Sequence, residues 1–280
     1  MGVDLDYFSR QHWDRVAQAR GAHSSDVGVA LVDSLVTLVG EAKAQTVLDV
    51  GAGNGALAFA LATAHSEARI SGLDYSSAAV RIALEELAPT YPAEVRSRLS
   101  FLTGSASELP YGSGLFDAVT MLKTAWVLPD LALALAECRR VLRPGGRVFL
   151  QSWAPPEQCA ALTLGSMVLG STIDGFALPP EAVSPFELTV ERIAGELAEA
   201  GFTVEGQPRF SWELAVDSAD QYWDRLRSIA GTAYWALHVQ AGPDRVRVDE
   251  EWERRSAAYR GTDGFARLPL GWHISVGRVS

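Results

Sequence analysis

The stretch TVLDVGAGNGALAFAL, residues 46–61, decides the fold of this chain. Thr46–Val50 is a short, apolar and β-branched run, which predicts a buried strand. Alternating glycines follow from Gly51, and Ala56–Ala64 consists of residues that favour a helix. A strand, a glycine turn and a helix in this order are typical of the nucleotide-binding corner of an open α/β sheet, because glycines allow a tight turn and the close approach of a ligand.

The glycine pattern alone does not identify the ligand. Ala56 completes the dinucleotide pattern G-x-G-x-x-A, so NAD stays open at this point, as does a turn that needs only positive φ. Residues 68–73 predict a second strand that ends at Asp74, about twenty residues beyond the turn, where an acid can accept both hydroxyls of a ribose. Because Ser76 and Ser77 begin a helix directly afterwards, capping of that helix is the alternative role for Asp74.

Composition limits the classes of protein to which the chain can belong. The 280 residues are 48% hydrophobic, enough for a large core, and the net charge is −10, which opposes a nucleic-acid partner. The two cysteines, Cys138 and Cys159, show no metal-ligand spacing, and no metal site is predicted. The N-terminus lacks the apolar region of a secretory signal, and no run is long enough to span a bilayer. We therefore expect a cytoplasmic protein with no membrane partner.

The order of predicted elements indicates a parallel sheet. Further strands are predicted at 99–103, 116–122 and 147–153, with a helix at 131–141 between the last two. Regular alternation of strands and helices requires helices on both faces of the sheet. Two helices are predicted ahead of the sheet, over 6–20 and from residue 27. After Trp153 the pattern changes to an irregular, proline-rich region, then a helix capped by Thr189, a strand at 202–210, a helix from 217 or 218, and a last strand at 270–279.

Four motifs make the chain recognisable: LDVGAGNG (48–55), GLDYS (72–76), ELPYGSGLFDAV (108–119) and VLRPGGRVFL (141–150). In this order they resemble a class I S-adenosylmethionine (SAM)-dependent methyltransferase of the small-molecule kind, similar to quinone- and sterol-type enzymes. The resemblance resolves the NAD ambiguity. It implies a Rossmann-like, doubly wound, seven-stranded α/β sheet whose last strand is antiparallel. It further implies one domain over 1–280, with a helical lid at 1–40, the SAM-binding core at 46–153, and a substrate cap with the last two strands at 154–280.

The resemblance also implies SAM as cofactor, S-adenosylhomocysteine as product, and a set of residues around them. Gly51, Ala52 and Gly53 would line the methionine part, Asp49 would orient that loop, and Asp74 would hold the ribose. The remaining cofactor positions implied are Tyr75 beside the adenine, Ser105, Ala106 and Ser107 at its edge, and Leu122 and Lys123, which would approach the methionine amine through backbone oxygen. In two places the chain departs from the pattern: Ser105 replaces an acid found in many relatives, and the run WVLPD (126–130) lacks the histidines that several relatives carry there.

Methyl transfer needs little from the protein beyond placement of the reactants. Holding them in line can supply ~7–11 kcal/mol, and a general base contributes only when the acceptor must lose a proton. His12 and His238 are the candidate bases, although a lone histidine more often has a structural role. Aromatic residues near the expected substrate mouth are the candidates for substrate binding, with packing of a cap helix as the alternative; they are Tyr7, Trp13, Trp126, Trp153, Tyr222 and Trp235.

The sequence therefore predicts SAM-dependent methyl transfer to oxygen, nitrogen or carbon of a small, largely apolar or aromatic acceptor, such as a specialised metabolite. Two alternatives remain because a fold does not fix a function. One is an enzyme that uses the same fold for cyclisation or pericyclic chemistry and keeps SAM as a structural or electrostatic element. The other is a non-catalytic SAM-binding or partner-binding module. The oligomeric state stays open, with a homodimer as one possibility.

Overall fold

The computed structural model describes residues 9–20, 26–176, 184–229 and 244–280, and within them a central sheet of eight strands. In chain order the strands are β1 (Thr46–Val50), β2 (Arg69–Asp74), β3 (Leu99–Thr103), β4 (Phe116–Met121), β5 (Leu142–Trp153), β6 (Phe202–Gly206), β7 (Arg209–Val216) and β8 (Ala266–Val279).

Helices precede, connect and follow these strands. In chain order they are α1 (Arg10–Arg20), α2 (Asp26–Glu41), α3 (Ala56–Ala64), α4 (Ser77–Ile82, continued as a π-helical turn over Ala83–Leu87), α5 (Ala93–Arg96), α6 (Leu131–Val141), α7 (Ala160–Thr172), α8 (Val190–Glu199), α9 (Ala219–Ile229) and α10 (Arg245–Ser256). Among the helices so described, none has both the length and the apolar character needed to cross a membrane.

The strand order β3-β2-β1-β4-β5-β8-β6 places the functional end of the molecule. The first five strands pair in parallel, and β8 is antiparallel to its neighbours. The chain runs outward from β1 through β2 to β3 and then returns to place β4 on the other side of β1. Ligands of open α/β sheets bind at such a reversal, outside the carboxyl ends of the strands.

Two apolar layers hold the helices against the sheet. The layer on one face includes α2 and α3, and that on the other includes α6 and α8. Every residue of β4 is buried, as expected for a strand covered on both faces. Helix α6 buries Ala134, Leu135, Cys138 and Val141, one stripe of an amphipathic helix, and Cys138 is fully buried as a small apolar residue.

The structure confirms the predicted fold class, a doubly wound sheet with an antiparallel last strand, and adds one strand to the seven expected. The strand predicted at 202–210 continues to Val216 and is interrupted at Gln207 and Pro208. Both halves, β6 and β7, lie along β8, and the N–H of Ile274 donates to the carbonyl of Pro208 (3.1 Å) between them. A proline that lacks a donor is tolerated at such a bulge on an edge strand.

The region after Trp153 contains an element that the sequence did not predict. Residues 160–172, within the region after Trp153 that the sequence predicts to be irregular, form the 13-residue helix α7. This helix includes Gly165, Gly170 and several Ser and Thr residues, and no side chain caps its start. Its local propensity is therefore weak, and burial of residues on most of its circumference stabilises it instead.

Candidate active site

A cavity of about 720 Å³ lies at the carboxyl ends of β1, β2, β3 and β4. It is bounded by the loops after these strands and by helices α1, α2 and α9. All the cofactor positions predicted from the sequence line it, namely Asp49, Gly51, Ala52, Gly53, Asp74, Tyr75, Ser105, Ala106, Ser107, Leu122 and Lys123. The structure thus brings residues from four separate loops to one surface, as the resemblance implies.

Two glycines of the first loop are needed for different reasons. Gly51 (φ +74°) and Gly53 (φ +57°) both have left-handed backbone that other residues rarely adopt. A Cβ on Gly51 would lie 2.2 Å from Oγ1 of Thr124, so this glycine is fixed by packing. A Cβ on Gly53 would meet no atom within 4 Å, because the space beside it belongs to the cavity.

The carboxylate of Asp74 joins the end of β2 to the glycine loop. Its Oδ2 accepts from the N–H of Gly53 (2.6 Å) and its Oδ1 from the N–H of Ser76 (2.8 Å). Asp74 also lines the cavity, where a carboxylate can accept hydrogen bonds from ribose hydroxyls. The alternative role, capping of α4, belongs to Ser76, whose Oγ accepts from the N–H of Ala79 (3.0 Å).

Asp49 places a buried acid at the cavity wall. Its side chain is only 1% exposed, and Oγ1 of Thr120 donates to its Oδ1 (2.9 Å). Burial raises the pKa of Asp49 to about 7, the Thr120 hydrogen bond opposes that rise, and the charge of Asp74 adds to it. A carboxylate with this pKa at a ligand cavity is a candidate partner for a cation, which would restore its charge.

The residues predicted beside the adenine differ in how they are held. The Oγ of Ser105 accepts from the N–H of Ser107 (3.2 Å), which shapes the loop after β3. The serine that replaces the usual acid therefore already has a local partner. Tyr75 is 39% exposed, and the guanidinium of Arg10 lies over its ring at 4.8 Å from the centroid. Such a cation–π contact lets α1 cover this end of the cavity.

A second contact fixes α1 over the cavity. The carboxylate of Asp14 accepts from the Oγ of Ser76 (2.6 Å) and from the N–H of Ala78 (3.0 Å) at the start of α4. Burial raises the pKa of Asp14, but these hydrogen bonds outweigh it and the pKa is lowered overall. The docked helix places Trp13, Val16 and Ala17 in the cavity wall, so Trp13 is the residue among the predicted acceptor-binding ones that lines the described cavity.

The other residues predicted for chemistry or acceptor binding do not line the described part of the cavity. His12 is 6% exposed and lies on α1 outside that lining. Trp126 and Trp153 pack against each other with centroids 6.4 Å apart, and Trp153 is buried. Tyr7, Trp235 and His238 lie outside the described residues.

Tyr222 is a core residue rather than a wall of the cavity. It is fully buried, its hydroxyl donates to the carbonyl of Ala161 (3.2 Å), and its ring packs against Trp252 at 5.5 Å. Burial raises the pKa of this phenol well above its usual range. The packing of a cap helix, which the sequence left as the alternative, is what the structure shows for Tyr222.

Charged residues stand where aromatic ones were expected. Asp33 of α2 and Asp224 and Arg225 of α9 line the cavity, and the sequence did not single them out. The sequence contained part of the information needed to find Asp224 and Arg225. Helix α9 is amphipathic, so its charged residues lie on the face opposite to the one that buries Tyr222. Which face meets the core could be known only from the packing of α9.

Comparison with known proteins agrees with this geometry. Residues 48–150 match the family model described as a methyltransferase domain. Demethylmenaquinone methyltransferase of Thermus thermophilus is 32% identical over 182 residues, which cover 60% of this chain and 79% of that protein. The chain belongs to the class I SAM-dependent methyltransferases. Nocamycin O-methyltransferase of Saccharothrix syringae is similar over a longer span, 28% identical across 83% of this chain and 85% of its own.

Solved structures show the same fold as this methyltransferase. The YcgJ protein of Bacillus subtilis matches with a TM-score of 0.57 at 18% identity, over 89% of this chain and 97% of that one. The [4+2]-cyclase SpnF matches with a TM-score of 0.54 at 21% identity, over 88% and 81% of the two chains. At these identities the likeness concerns the fold alone.

Proposed function

We propose that this methyltransferase transfers a methyl group from SAM to an oxygen of a small, largely apolar acceptor. The observation that carries the proposal is the single cavity lined by every predicted cofactor position and continuous with a wall of α1, α2 and α9. In this proposal residues 1–40 act as a lid and 154–280 as a cap around the core at 46–153, all within one domain.

The cavity wall fits the chemical groups of SAM. The buried carboxylate of Asp49 suits the methionine ammonium, and the carboxylate of Asp74, which lines the same cavity, suits the ribose hydroxyls. The space beside Gly53 lets a ligand approach the backbone closely. Bound there, SAM would supply an electrophilic methyl group on a sulfonium.

The acceptor half of the cavity is apolar with a charged edge. Trp13, Val16 and Val29 of the first two helices and Val127 and Leu128 after β4 contribute apolar walls. A pocket of this kind, with a few polar groups to fix orientation, is typical of small-molecule sites. The charged edge is formed by the three residues described above, Asp33, Asp224 and Arg225.

The names of the relatives favour oxygen over nitrogen or carbon as the acceptor atom. The relatives include proteins named for nocamycin, 27-O-demethylrifamycin SV and ubiquinone biosynthesis, each an O-methyltransferase or a methyltransferase of an O-demethylated compound. An acceptor hydroxyl that must lose its proton requires a base within hydrogen-bond reach. In the lining that the structure describes, Asp33 and Asp224 can accept such a proton, whereas His12 lies outside it.

Calorimetry with SAM, S-adenosylhomocysteine and NAD tests the cofactor assignment first. We expect heat of binding with SAM and with S-adenosylhomocysteine and none with NAD. The reverse pattern would overturn the proposal. The protein is then incubated with methyl-labelled SAM and one of two apolar acceptors that carry a hydroxyl, the aromatic 2-naphthol or the aliphatic cyclododecanol. The label in the extracted product is counted. Consumption of an acceptor without transfer of label would instead favour the non-methylating alternative.

The charged edge is tested with Asp33→Asn. We expect this variant to bind S-adenosylhomocysteine normally and to lose at least about tenfold in the rate of label transfer, since a general base contributes ~10²–10⁴-fold. Asp174→Asn, at an exposed position away from the cavity, is the matched control. An unchanged rate in the Asp33 variant would remove Asp33 from the acceptor site.

A further inference from the structure

Gln151 lies directly behind the cavity wall and does not line the described cavity itself. It is fully buried on β5, and its Oε1 accepts from the N–H of Lys123 (3.1 Å) in the loop after β4. The backbone ladder between β4 and β5 ends with the pair Met121 and Leu150. The Gln151 side chain therefore adds a hydrogen bond between β5 and the loop after β4, just beyond the last backbone pair of the two strands.

The residue held in this way has an unusual backbone. Lys123 adopts φ +57°, one of two positive values at non-glycine residues in the described chain, the other being Lys43. Left-handed backbone at such a residue costs of order 1 kcal/mol and persists only where the surroundings enforce it. The hydrogen bond that the N–H of Lys123 donates to a fully buried side chain is such a constraint.

Two further links tie the same loop to the glycine corner. Oγ1 of Thr124 donates to the carbonyl of Leu122 (3.1 Å) and lies 3.5 Å from the carbonyl of Gly51. One layer below, Thr120 on β4 holds Asp49 on β1. The wall formed by Asp49, Gly51 and residues 122–124 is therefore connected from β1 through β4 to Gln151 on β5.

Stability alone does not explain a glutamine at this position. Its Nε2 is buried and has no hydrogen-bond partner among the described residues. A buried donor without a partner costs about 1–3 kcal/mol, so an apolar side chain of similar volume would be tolerated at least as well by the core. The benefit of Gln151 must come from what its oxygen does to Lys123.

We propose that Gln151 is a positioning residue that sets the left-handed turn at Lys123 and thereby shapes the part of the site that receives the methionine end of the cofactor. The inference rests on the proposed function. Gln151 acts through the loop and not by contact with a ligand, so its removal should affect ligands that carry the amino-acid end and spare those that lack it.

The test is Gln151→Met in the full chain, with two probes measured by calorimetry. S-adenosylhomocysteine carries the amino-acid end, whereas 5′-methylthioadenosine has the adenosine and sulfur without it. We expect the affinity for the first to fall about tenfold, since small displacements in a binding site have effects of this order, and that for the second to change less than about twofold. The melting temperature should be unchanged or higher.

Lys123→Gly supplies the matched rescue, because glycine adopts positive φ without a constraint. In the double variant we expect at least half of the lost affinity for S-adenosylhomocysteine, on a logarithmic scale, to return. Lys43→Gly, the same substitution at the other positive-φ lysine, should restore none.

The remaining outcomes overturn the inference. Equal losses for both probes, or a loss that follows the melting temperature and is not rescued, would show a general structural role. If Gln151→Met binds S-adenosylhomocysteine as tightly as the unsubstituted protein does, Gln151 has no positioning role. The proposed function would still be supported in that case, because the unsubstituted protein binds this ligand. Absence of binding by the wild-type protein would overturn both.

Discussion

The two halves of the cavity are built by different means. In the half that the sequence motifs form, backbone groups and short side chains hold one another, as in the bonds from Gly53 and Ser76 to Asp74. In the half formed by α1, α2 and α9, side chains project from helices whose orientation is set by packing elsewhere, such as Tyr222 against Trp252. The first half therefore depends on particular residues at particular positions, and the second depends on which face of each helix the core buries.

The largest expected effect comes from a glycine of the first half. Gly53→Ala should weaken binding of S-adenosylhomocysteine about 30-fold or more, because its Cβ would enter the cavity at a position with φ +57°. Gly145→Ala is the matched control, since Gly145 has φ +78°, open space around it and no place in the cavity. Each should lose about 1 kcal/mol of stability in urea titration, but only the first should lose affinity. Equal affinities in the two variants would contradict the role of Gly53.

The next effect is a pH dependence that originates at Asp49. Because its pKa is raised to about 7, the acid is largely protonated at pH 6 and ionised at pH 8, and the ammonium group of the ligand is attracted by the ionised form. Affinity for S-adenosylhomocysteine should rise about tenfold between these pH values, following the ionised fraction of a single group. Asp49→Asn should bind more weakly and show a flat profile in the same titration. A slope that persists in this variant would assign the dependence to another group.

The sign of the linked stability follows from the same pKa. A folded-state pKa above the usual 3.8 means that protonated Asp49 contributes stability that is lost as pH rises through about 7. The ligand-free protein should therefore melt at a lower temperature at pH 8 than at pH 6, by an amount that Asp49→Asn reduces. Differential scanning calorimetry at the two pH values checks this.

A smaller effect is expected where the two halves meet, at Asp14. Asp14→Ala removes the acceptor that docks α1 onto Ser76 and Ala78. Dissociation of S-adenosylhomocysteine should therefore accelerate about fivefold, which corresponds to ~1 kcal/mol, the net contribution of a typical hydrogen bond. Stopped-flow displacement measures this rate. Gln11→Ala, at an exposed position of the same helix, should leave it unchanged. If both variants release the ligand at the wild-type rate, α1 does not close this end of the cavity.

The smallest effect on ligands is expected at Tyr222. Tyr222→Phe deletes the hydroxyl that donates to Ala161 and should cost about 0.5–1.5 kcal/mol of stability. Affinity for S-adenosylhomocysteine and the rate of label transfer should not change, because the ring lies in the core. If Tyr222→Phe instead lowers the rate of label transfer without changing stability, Tyr222 belongs to the acceptor site. The two halves of the cavity would then differ less in how they are built.

Much of the first half could be predicted because its determinants are local. The glycines and the acid that ends β2 act on their own backbone or on that of a neighbouring strand. Helix α7 could not be predicted in this way, since its local propensity is weak and its stability comes from burial. Two of the aromatic residues predicted to bind the acceptor lie elsewhere for a related reason: Trp153 and Tyr222 are large and apolar, and the sequence does not say whether such residues face a ligand or the core.

By itself, the sequence determined the alternation of strands and helices from β1 to β5, the glycine corner and the positions that line the end of the cavity next to it, because these follow from backbone preferences and short-range periodicity. Only the tertiary structure decided that α9 buries its aromatic face and leaves Asp224 and Arg225 to the cavity, and that a buried glutamine on β5 supports the turn at Lys123. Both depend on contacts between residues far apart in the chain. Which face of a helix is buried, and which side chain stands behind a loop, is settled by the packing of the whole core.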